Sequence, residues 1–163
     1  MADLTIRNAR EADTERCYEI ETVAYAGEEA ASKEKIRKRI QIYPEGFIVL
    51  ENNSEILGFI NAGAAFNVEL SDEEFKELVG HDPKGPNIVI MSVAVHPDHQ
   101  RQGIARMLMD TFIERMTELG KEHIYLICQT ELIPMYDSFG FTHLGESDSD
   151  HGGLSWHEMS LAL

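Results

Sequence analysis

The sequence predicts a mixed α/β domain, and three features of its apolar pattern support that prediction. Short apolar runs, such as residues 47–50 and 124–127, are typical of buried strands. Residues 104–119 instead carry apolar side chains every three or four positions, which is typical of an amphipathic helix. A long apolar run at residues 87–96 comes shortly before that helix, which favours a central strand followed by a helical crossover.

The other segments complete the predicted order of elements. Pro44 ends the second helix, and a polar turn at residues 52–54 joins two strands into a hairpin. Ser71 and Glu74 resemble a capping box for a short helix. In chain order the prediction is a strand at residues 4–7, helices at 11–25 and 28–43, strands at 47–50 and 56–65, a short helix at 71–75, a strand at 87–96, a helix at 104–119, a strand at 124–127, a short helix through Tyr136 and Phe139, and strands at 141–144 and 154–161.

The length and composition predict a single domain over residues 1–163, since 163 residues can bury a core without metal or disulfide support. With 43% hydrophobic and 26% charged residues, the composition is that of a soluble globular protein. No apolar run is long enough to span a bilayer and no basic, apolar leader follows Met1, so the expected location is the cytoplasm. Cys17 and Cys128 are expected to be buried free thiols.

The formal net charge of −15 disfavours nucleic acid and anionic membrane surfaces as partners, because both would be repelled. It is compatible with a cationic substrate such as an amine, although a solvated acidic surface would give the same net charge. It also means that a phosphate-containing ligand needs locally positive groups. A homodimer is compatible with the sequence, which does not specify the oligomeric state.

The segment Gln100-Arg101-Gln102-Gly103-Ile104-Ala105 joins the long apolar strand to the following helix. Amides at a helix N-terminus lack intrahelical partners, and together with the helix dipole they form an anion site. Gly103 lets a ligand approach the backbone, and Arg101 and Arg106 add positive charge. Taken without their context, these residues fit an ordinary helix start with surface arginines at least as well.

Together with the preceding Ser92-Val93-Ala94-Val95-His96-Pro97, this loop resembles the signature of the GNAT superfamily of N-acetyltransferases, in which Q/R-x-x-G-x-A/G binds the pyrophosphate of CoA. The resemblance implies a GNAT fold, a mixed and mostly antiparallel sheet of about seven strands flanked by about four helices. It also implies acetyl-CoA as cosubstrate and no metal. It assigns the pantetheine arm and the thioester carbonyl to the backbone of the central strand, and the implied cofactor-binding residues are Val93, Ala94, Val95, Arg101, Gln102, Gly103, Ile104, Ala105 and Arg106.

Further segments between about Tyr25 and Leu161 resemble the arylalkylamine (serotonin-type) N-acetyltransferase branch. They are residues 28–32, 43–47, 81–85, 134–136, 139–141 and 154–159. This resemblance implies acetyl transfer to a small primary amine by direct attack in a ternary complex. Family members often carry proline after the aromatic at Tyr25, where this chain has Ala26, so the substrate-side loop is expected to differ in shape. The alternatives are a polyamine, aminoglycoside or protein amine as acceptor, and a non-catalytic acyl-CoA sensor.

Tyr136 matches the family tyrosine that protonates the leaving thiolate. A phenol and a thiol have ordinary pKa values within about two units of each other, so proton exchange between them is feasible. The alternative is a tyrosine that only packs beside Phe139. The histidine pair of vertebrate members is replaced here by Val89 and Met91, neither of which can accept a proton.

The general base is therefore left open between solvent and a water chain that leads to His81, Glu28 or Glu29, which are also the expected substrate-side residues. The stretch His96-Pro97-Asp98-His99 offers metal-ligating side chains, but it is interpreted as a solvent-facing turn because no fourth ligand is evident. Residues 147–151 are expected to form an exposed hairpin loop, with closure over an amine as the alternative.

Overall fold

The computed structural model describes residues 4–25, 30–68, 78, 80–147 and 156–163. The predicted short helix at residues 71–75 lies outside the described residues. So do Glu28 and Glu29, the substrate-side loop after Tyr25, and residues 148–151 of the predicted hairpin loop.

Seven strands form one sheet in the order β1-β2-β3-β4-β5-β7-β6. They are β1 (Leu4–Asn8), β2 (Phe47–Asn52), β3 (Glu55–Ala65), β4 (Asn87–Val95), β5 (His123–Cys128), β6 (Thr142–Glu146) and β7 (His157–Ala162). The pairs β1–β2, β2–β3, β5–β7 and β6–β7 are antiparallel, whereas β4 and β5 are parallel. The predicted mixed, mostly antiparallel sheet with a crossover after its central strand is confirmed.

Four α-helices accompany the sheet in the described part of the chain: α1 (Thr14–Ala24), α2 (Lys33–Ile42), α3 (Ile104–Glu118) and α4 (Ile133–Ser138). The prediction that the second helix starts at residue 28 is wrong. The Ser32 hydroxyl accepts a hydrogen bond from Lys35 N–H at 3.3 Å, and this cap makes Lys33 the first helical residue. The β2–β3 hairpin has the predicted polar turn, with φ of 52° at Asn53 and 73° at Ser54, as a type I′ turn requires.

The chain divides into two compact units, Met1–Ala62 with Ser92–Phe112 and Gly63–Met91 with Ile113–Leu163. A single domain over residues 1–163 stays a prediction. In the first unit the apolar stripes of α1 and α2 pack on β2 and β3, and the rings of Phe47 and Phe59 lie 5.4 Å apart. The fully buried members of this core from the two helices are Cys17, Ile20 and Ile36.

In the second unit β5 pairs with β7, and α4 packs against β6. Its buried core includes Ile88, Ile124, Leu126, Phe141 and Met159. The thiols of both cysteines are free and buried, as predicted. Burial raises the pKa of the Cys17 thiol and raises that of Cys128 to about 11, so neither is a thiolate at neutral pH.

The two central strands of the sheet differ in how they are covered. Every β3 residue after Glu55 is buried, whereas β4 alternates between buried and half-buried positions. The prediction of a buried central strand therefore holds for one face of β4, which carries Ile88, Ile90, Ser92 and Ala94. The other face carries apolar but half-buried side chains, which are Val89, Met91, Val93 and Val95. No helix in the described ranges is both long and apolar enough to cross a bilayer.

An ion pair fixes the start of the chain to the turn before α1. The Arg7 guanidinium on β1 donates to both carboxylate oxygens of Asp13, at 2.8 and 3.1 Å, and to Glu51 on β2 at 3.2 Å. Asp13 also accepts from Arg10 N–H at 2.7 Å. Burial favours the neutral carboxyl of Asp13, but the hydrogen bonds from Arg7 and Arg10 outweigh it and lower the pKa of Asp13.

We predict that Asp13→Asn lowers the free energy of unfolding at pH 7 by about 1–2 kcal/mol, because it removes charge-assisted hydrogen bonds. A lowered pKa means that the carboxylate stabilises the fold above the ordinary aspartate value near 3.9 and that this contribution is lost below it. The difference between wild type and variant should therefore shrink as the pH falls from 5 towards the lower pKa of folded Asp13, to about zero once the wild-type carboxyl is protonated.

Urea denaturation at pH 7, 5 and about 3 measures this difference. Glu19→Gln is the matched control, because the pair between Glu19 and Arg16 is exposed and its loss should change stability by less than about 0.5 kcal/mol. Equal effects of the two variants, or a pH-independent effect of Asp13→Asn, would contradict the assignment.

Candidate active site

The end of β4 is fixed on the β3 side of the strand. His96 N–H, directly after β4, donates to Leu57 C=O at 2.8 Å. One strand position away, a Cβ on Gly58 would lie 2.8 Å from Ala94 C=O, so this close approach of β3 to β4 requires glycine. The Ala94 side chain is itself buried, which leaves only its backbone available to a ligand.

The other edge of β4 is paired over a short distance. The register between β4 and β5 runs from Asn87↔His123 to Val89↔Tyr125, although β4 continues to Val95. Peptide N–H groups along a strand point alternately to its two edges. Since His96 N–H points to β3, Val93 N–H points to the opposite edge, beyond the part that is paired with β5.

Side chains occupy that edge at two positions. The Tyr25 hydroxyl donates to Val93 C=O at 2.8 Å and accepts from Val93 N–H at 3.2 Å. The Gln100 side-chain amide donates to Val95 C=O at 3.2 Å. The backbone groups that the sequence assigns to the pantetheine arm thus have side-chain partners. Sequence reasoning did not place Tyr25 at the site; its only signal was the aromatic position before Ala26.

A polar turn follows β4. The 3₁₀ turn Pro97–His99 begins at His96, whose Nδ1 accepts from Asp98 N–H at 3.2 Å. His99 Nε2 lies 3.8 Å from Glu55 Oε1. Both imidazoles are half-exposed and Asp98 is exposed, which supports the solvent-facing interpretation. Within the described residues, no three or more His, Cys, Asp or Glu side chains are grouped so that they could hold a metal ion.

The loop before α3 adopts a backbone that brings amides together. Arg101 has a φ of 64° and Gly103 a φ of 80°, both in the left-handed region. A Cβ on Gly103 would meet nothing within 4 Å, so its backbone conformation, not lack of space, favours glycine there. The first hydrogen bond within the helix joins Met107 N–H to Gly103 C=O at 3.0 Å. The amides of Ile104, Ala105 and Arg106 precede it and point out of the N-terminus.

The side chains of this loop have different surroundings. Arg101, Gln102 and Arg106 are exposed, and Arg106 Nε lies 3.7 Å from Asp110 Oδ2, which partly neutralises its charge. Ile104 is buried and anchors the helix in the core, so only its amide can face a ligand. Backbone N–H groups and the helix dipole at such an N-terminus favour an anion, and the exposed Arg101 belongs to the same loop.

A buried polar cluster lies behind Val93. Arg39 on α2 is 3% exposed, and its Nη1 lies 3.4 Å from Asn61 Oδ1 on β3 and 3.5 Å from Ser92 Oγ on β4. Burial lowers the pKa of Arg39 to about 10, against the opposing effect of Glu21 and Tyr25, so the guanidinium stays charged at neutral pH. The cluster ties α2 to the strand segment that carries Val93.

Tyr136, the predicted acid, lies on α4 and is 5% exposed. Its ring packs edge-to-face on Phe139 and Phe141, with centroid distances of 6.0 and 5.8 Å. The packing beside Phe139 that was the alternative interpretation is therefore present. The acid role stays a prediction.

The predicted base candidates can be located only in part. His81 Nδ1 accepts from Ala64 N–H at 2.9 Å, and Asp82 N–H donates to Ala64 C=O at 2.8 Å. This pair of bonds holds the loop after residue 80 to the end of β3. His81 can take up a proton at Nδ1 only by losing the bond to Ala64. Val89 and Met91 lie on the half-buried face of β4 and offer no acceptor.

Comparisons with known proteins agree on the type of domain. The model of the acetyltransferase (GNAT) family matches residues 12–141. Uncharacterized N-acetyltransferase YkwB of Bacillus subtilis (strain 168) is 26% identical over 132 residues, which cover 74% of this chain and 58% of that protein. Serotonin N-acetyltransferase of Mesocricetus auratus is 24% identical over 131 residues, 80% of this chain and 62% of that protein. The chain spans about six tenths of the length of these curated relatives.

Among solved structures, the loading GNATL domain of CurA from Lyngbya majuscula resembles this chain with a TM-score of 0.85 and 17% identity, covering 98% of this chain and 97% of that one. At that identity the likeness concerns the fold. It agrees with the seven-stranded sheet and with the helix that follows β4. Since the family model matches most of the chain, the protein belongs to the acetyltransferase (GNAT) family.

Proposed function

We propose that this protein is an N-acetyltransferase that transfers the acetyl group of acetyl-CoA to a small primary amine of arylalkylamine type. One observation carries the proposal. In a chain of the GNAT family, the loop before α3 presents the amides of a helix N-terminus behind Gly103, whose φ of 80° lies in the left-handed region that favours glycine. The similarity to serotonin N-acetyltransferase supports the type of amine.

The cofactor half of the reaction follows from this loop and from β4. The amides of Ile104, Ala105 and Arg106 would bind the pyrophosphate of CoA, with Arg101 contributing charge. The backbone of Val93 and Val95 would bind the pantetheine arm and the thioester, as an extended chain binds to an open strand edge. A donated N–H from β4 would polarise the carbonyl as its oxygen gains negative charge.

The chemical step is a direct transfer within a ternary complex. The neutral amine attacks the thioester carbon, the C–N bond forms, and the C–S bond breaks. The nitrogen loses one proton, and the CoA thiolate gains one from the Tyr136 hydroxyl, which recovers its proton from solvent. Val89 and Met91 cannot accept the amine proton. It would leave to solvent directly or through waters leading to His81, Glu28 or Glu29.

An amine panel tests the acceptor. We expect release of CoA thiol from acetyl-CoA with tryptamine and phenylethylamine, at a kcat/KM at least about tenfold above that with spermidine or a lysine peptide. A higher kcat/KM for spermidine or for the lysine peptide would show that the acceptor is a polyamine or a protein amine and not an arylalkylamine. Binding of acetyl-CoA without thiol release for any amine would instead indicate an acyl-CoA sensor.

Tyr136→Phe tests the acid. If the hydroxyl protonates the thiolate, we expect kcat to fall by about 10²-fold while the Kd for acetyl-CoA changes little. Tyr125→Phe on β5 is the control for loss of a tyrosine hydroxyl in the same unit and should keep kcat within about twofold. An unchanged kcat across the pH profile of Tyr136→Phe would remove Tyr136 from the mechanism.

Gly103→Ala tests the anion site, and Gly120→Ala is a closely matched control. Gly120, just after α3, has a φ of 79° and also has nothing within 4 Å of a Cβ. Both substitutions should lower the free energy of unfolding by about 1–2 kcal/mol through backbone strain. Only Gly103→Ala should weaken acetyl-CoA binding, by about tenfold in calorimetry, since a shift of its loop displaces the amides. Equal affinities of the two variants for acetyl-CoA would contradict the proposal that the loop before α3 binds the pyrophosphate.

A further inference from the structure

We propose that the Tyr25 hydroxyl occupies the place of the acetyl group in the free protein. It is hydrogen-bonded there to Val93 N–H and C=O, and it leaves both groups when acetyl-CoA binds. The inference rests on the proposed function and adds to it a residue that competes with the acetyl group for the edge of β4. It begins from two hydrogen bonds of one hydroxyl to the two backbone groups of one residue, at 2.8 and 3.2 Å.

The edge of β4 at Val93 carries backbone groups that are not paired with β5. A backbone N–H or C=O group at a strand edge destabilises the fold when it has neither a protein partner nor water to hydrogen-bond with. Val93 is half-buried and lies beyond the last β4–β5 pair, Val89↔Tyr125. A hydroxyl is both a donor and an acceptor, so Tyr25 can satisfy both groups at once. Gln100 serves Val95 C=O in the same way. The free protein thus keeps this edge satisfied with side chains.

Tyr25 and a bound thioester would compete for Val93 N–H. Val93 N–H has one hydrogen to donate, and a thioester oxygen placed on it takes the position of the Tyr25 oxygen. Val93 C=O has two lone pairs, but a second donor has to fit beside the Tyr25 O–H at 2.8 Å. The hydroxyl therefore occupies the space that a thioester oxygen bound to Val93 N–H would take.

The position of Tyr25 in the chain allows its side chain to leave Val93. Tyr25 comes directly after α1, and its N–H still donates to Glu21 C=O at 3.0 Å, but its own backbone is extended, with φ −117° and ψ 137°. Its side chain is half-buried. A rotation about the side-chain torsions moves the hydroxyl off Val93 without unwinding the helix.

A contact that exists only in the free protein stabilises that state and weakens ligand binding. Tyr25→Phe keeps the ring and removes the hydroxyl. We expect the variant to be less stable than wild type when free and to bind acetyl-CoA about two- to tenfold more tightly. CoA, which has no acetyl carbonyl, should gain less than acetyl-CoA. Tyr18→Phe on α1, where the Tyr18 side chain packs on the core of the first unit, should leave the ratio of the two affinities unchanged.

Calorimetric titrations of wild type and both variants with acetyl-CoA and with CoA give these affinities, and thermal denaturation gives the stabilities. Weaker or unchanged acetyl-CoA binding by Tyr25→Phe would overturn the inference, as would an equal gain for CoA. If wild type binds no acetyl-CoA, the proposed function fails and this inference with it. If wild type binds and turns over acetyl-CoA but the variant binds no tighter, the inference alone fails.

A measurement on wild type covers the case in which Tyr25→Phe does not fold. The backbone amide of Val93 can be followed by nitrogen-15 NMR during titration. Acetyl-CoA should shift the resonance of the Val93 amide, because a thioester carbonyl replaces the phenol as its hydrogen-bond partner. CoA should shift this resonance much less. Equal shifts with both ligands, or none, would overturn the inference.

Discussion

The candidate site depends on one constraint, which is that β4 is held to β3 up to its last residue but pairs with β5 over only a short stretch. The bond from His96 N–H to Leu57 C=O and the close approach at Gly58 fix the β3 side. The register with β5 ends at Val89↔Tyr125. A strand paired in this way has backbone N–H and C=O groups on one edge that are held in place but form no hydrogen bonds to a neighbouring strand. Those groups are what Tyr25 and Gln100 contact and what an extended ligand would need.

The segment that follows β4 bears on how an acidic protein could bind the phosphates of a ligand. With a net charge of −15, carboxylates would compete with a phosphate for the lysines and arginines of a site, as Asp110 does for Arg106. Backbone amides have no such competition, because they carry only partial charge and are fixed by the helix. The turn after β4 leads directly into α3, so the amides and the open strand edge come from one continuous segment of chain.

That continuity explains how much of the site the sequence could predict. Gly103 and the apolar spacing of α3 are local signals, and the structure has a positive φ and a helix starting at Ile104 where they indicated. The contact of Tyr25 with Val93 joins residues 68 positions apart, and that of Arg39 with Ser92 joins residues 53 apart. Neither leaves a periodic pattern. As a charged residue, Arg39 is expected on the surface of α2. Only the burial of its neighbours Ile36 and Ile40 indicates that it is buried.

The apolar face of β4 bears on how an amine would lose its proton. This face carries Val89 and Met91, which are half-buried and unable to accept a proton. An ammonium group brought against apolar side chains loses hydration, which lowers its pKa and favours the neutral amine. Desolvation of this kind lowers the demand on a general base, because part of the deprotonation takes place as the amine enters. Substrates that bring their own apolar surface, as arylalkylamines do, would be desolvated there more completely than a polyamine.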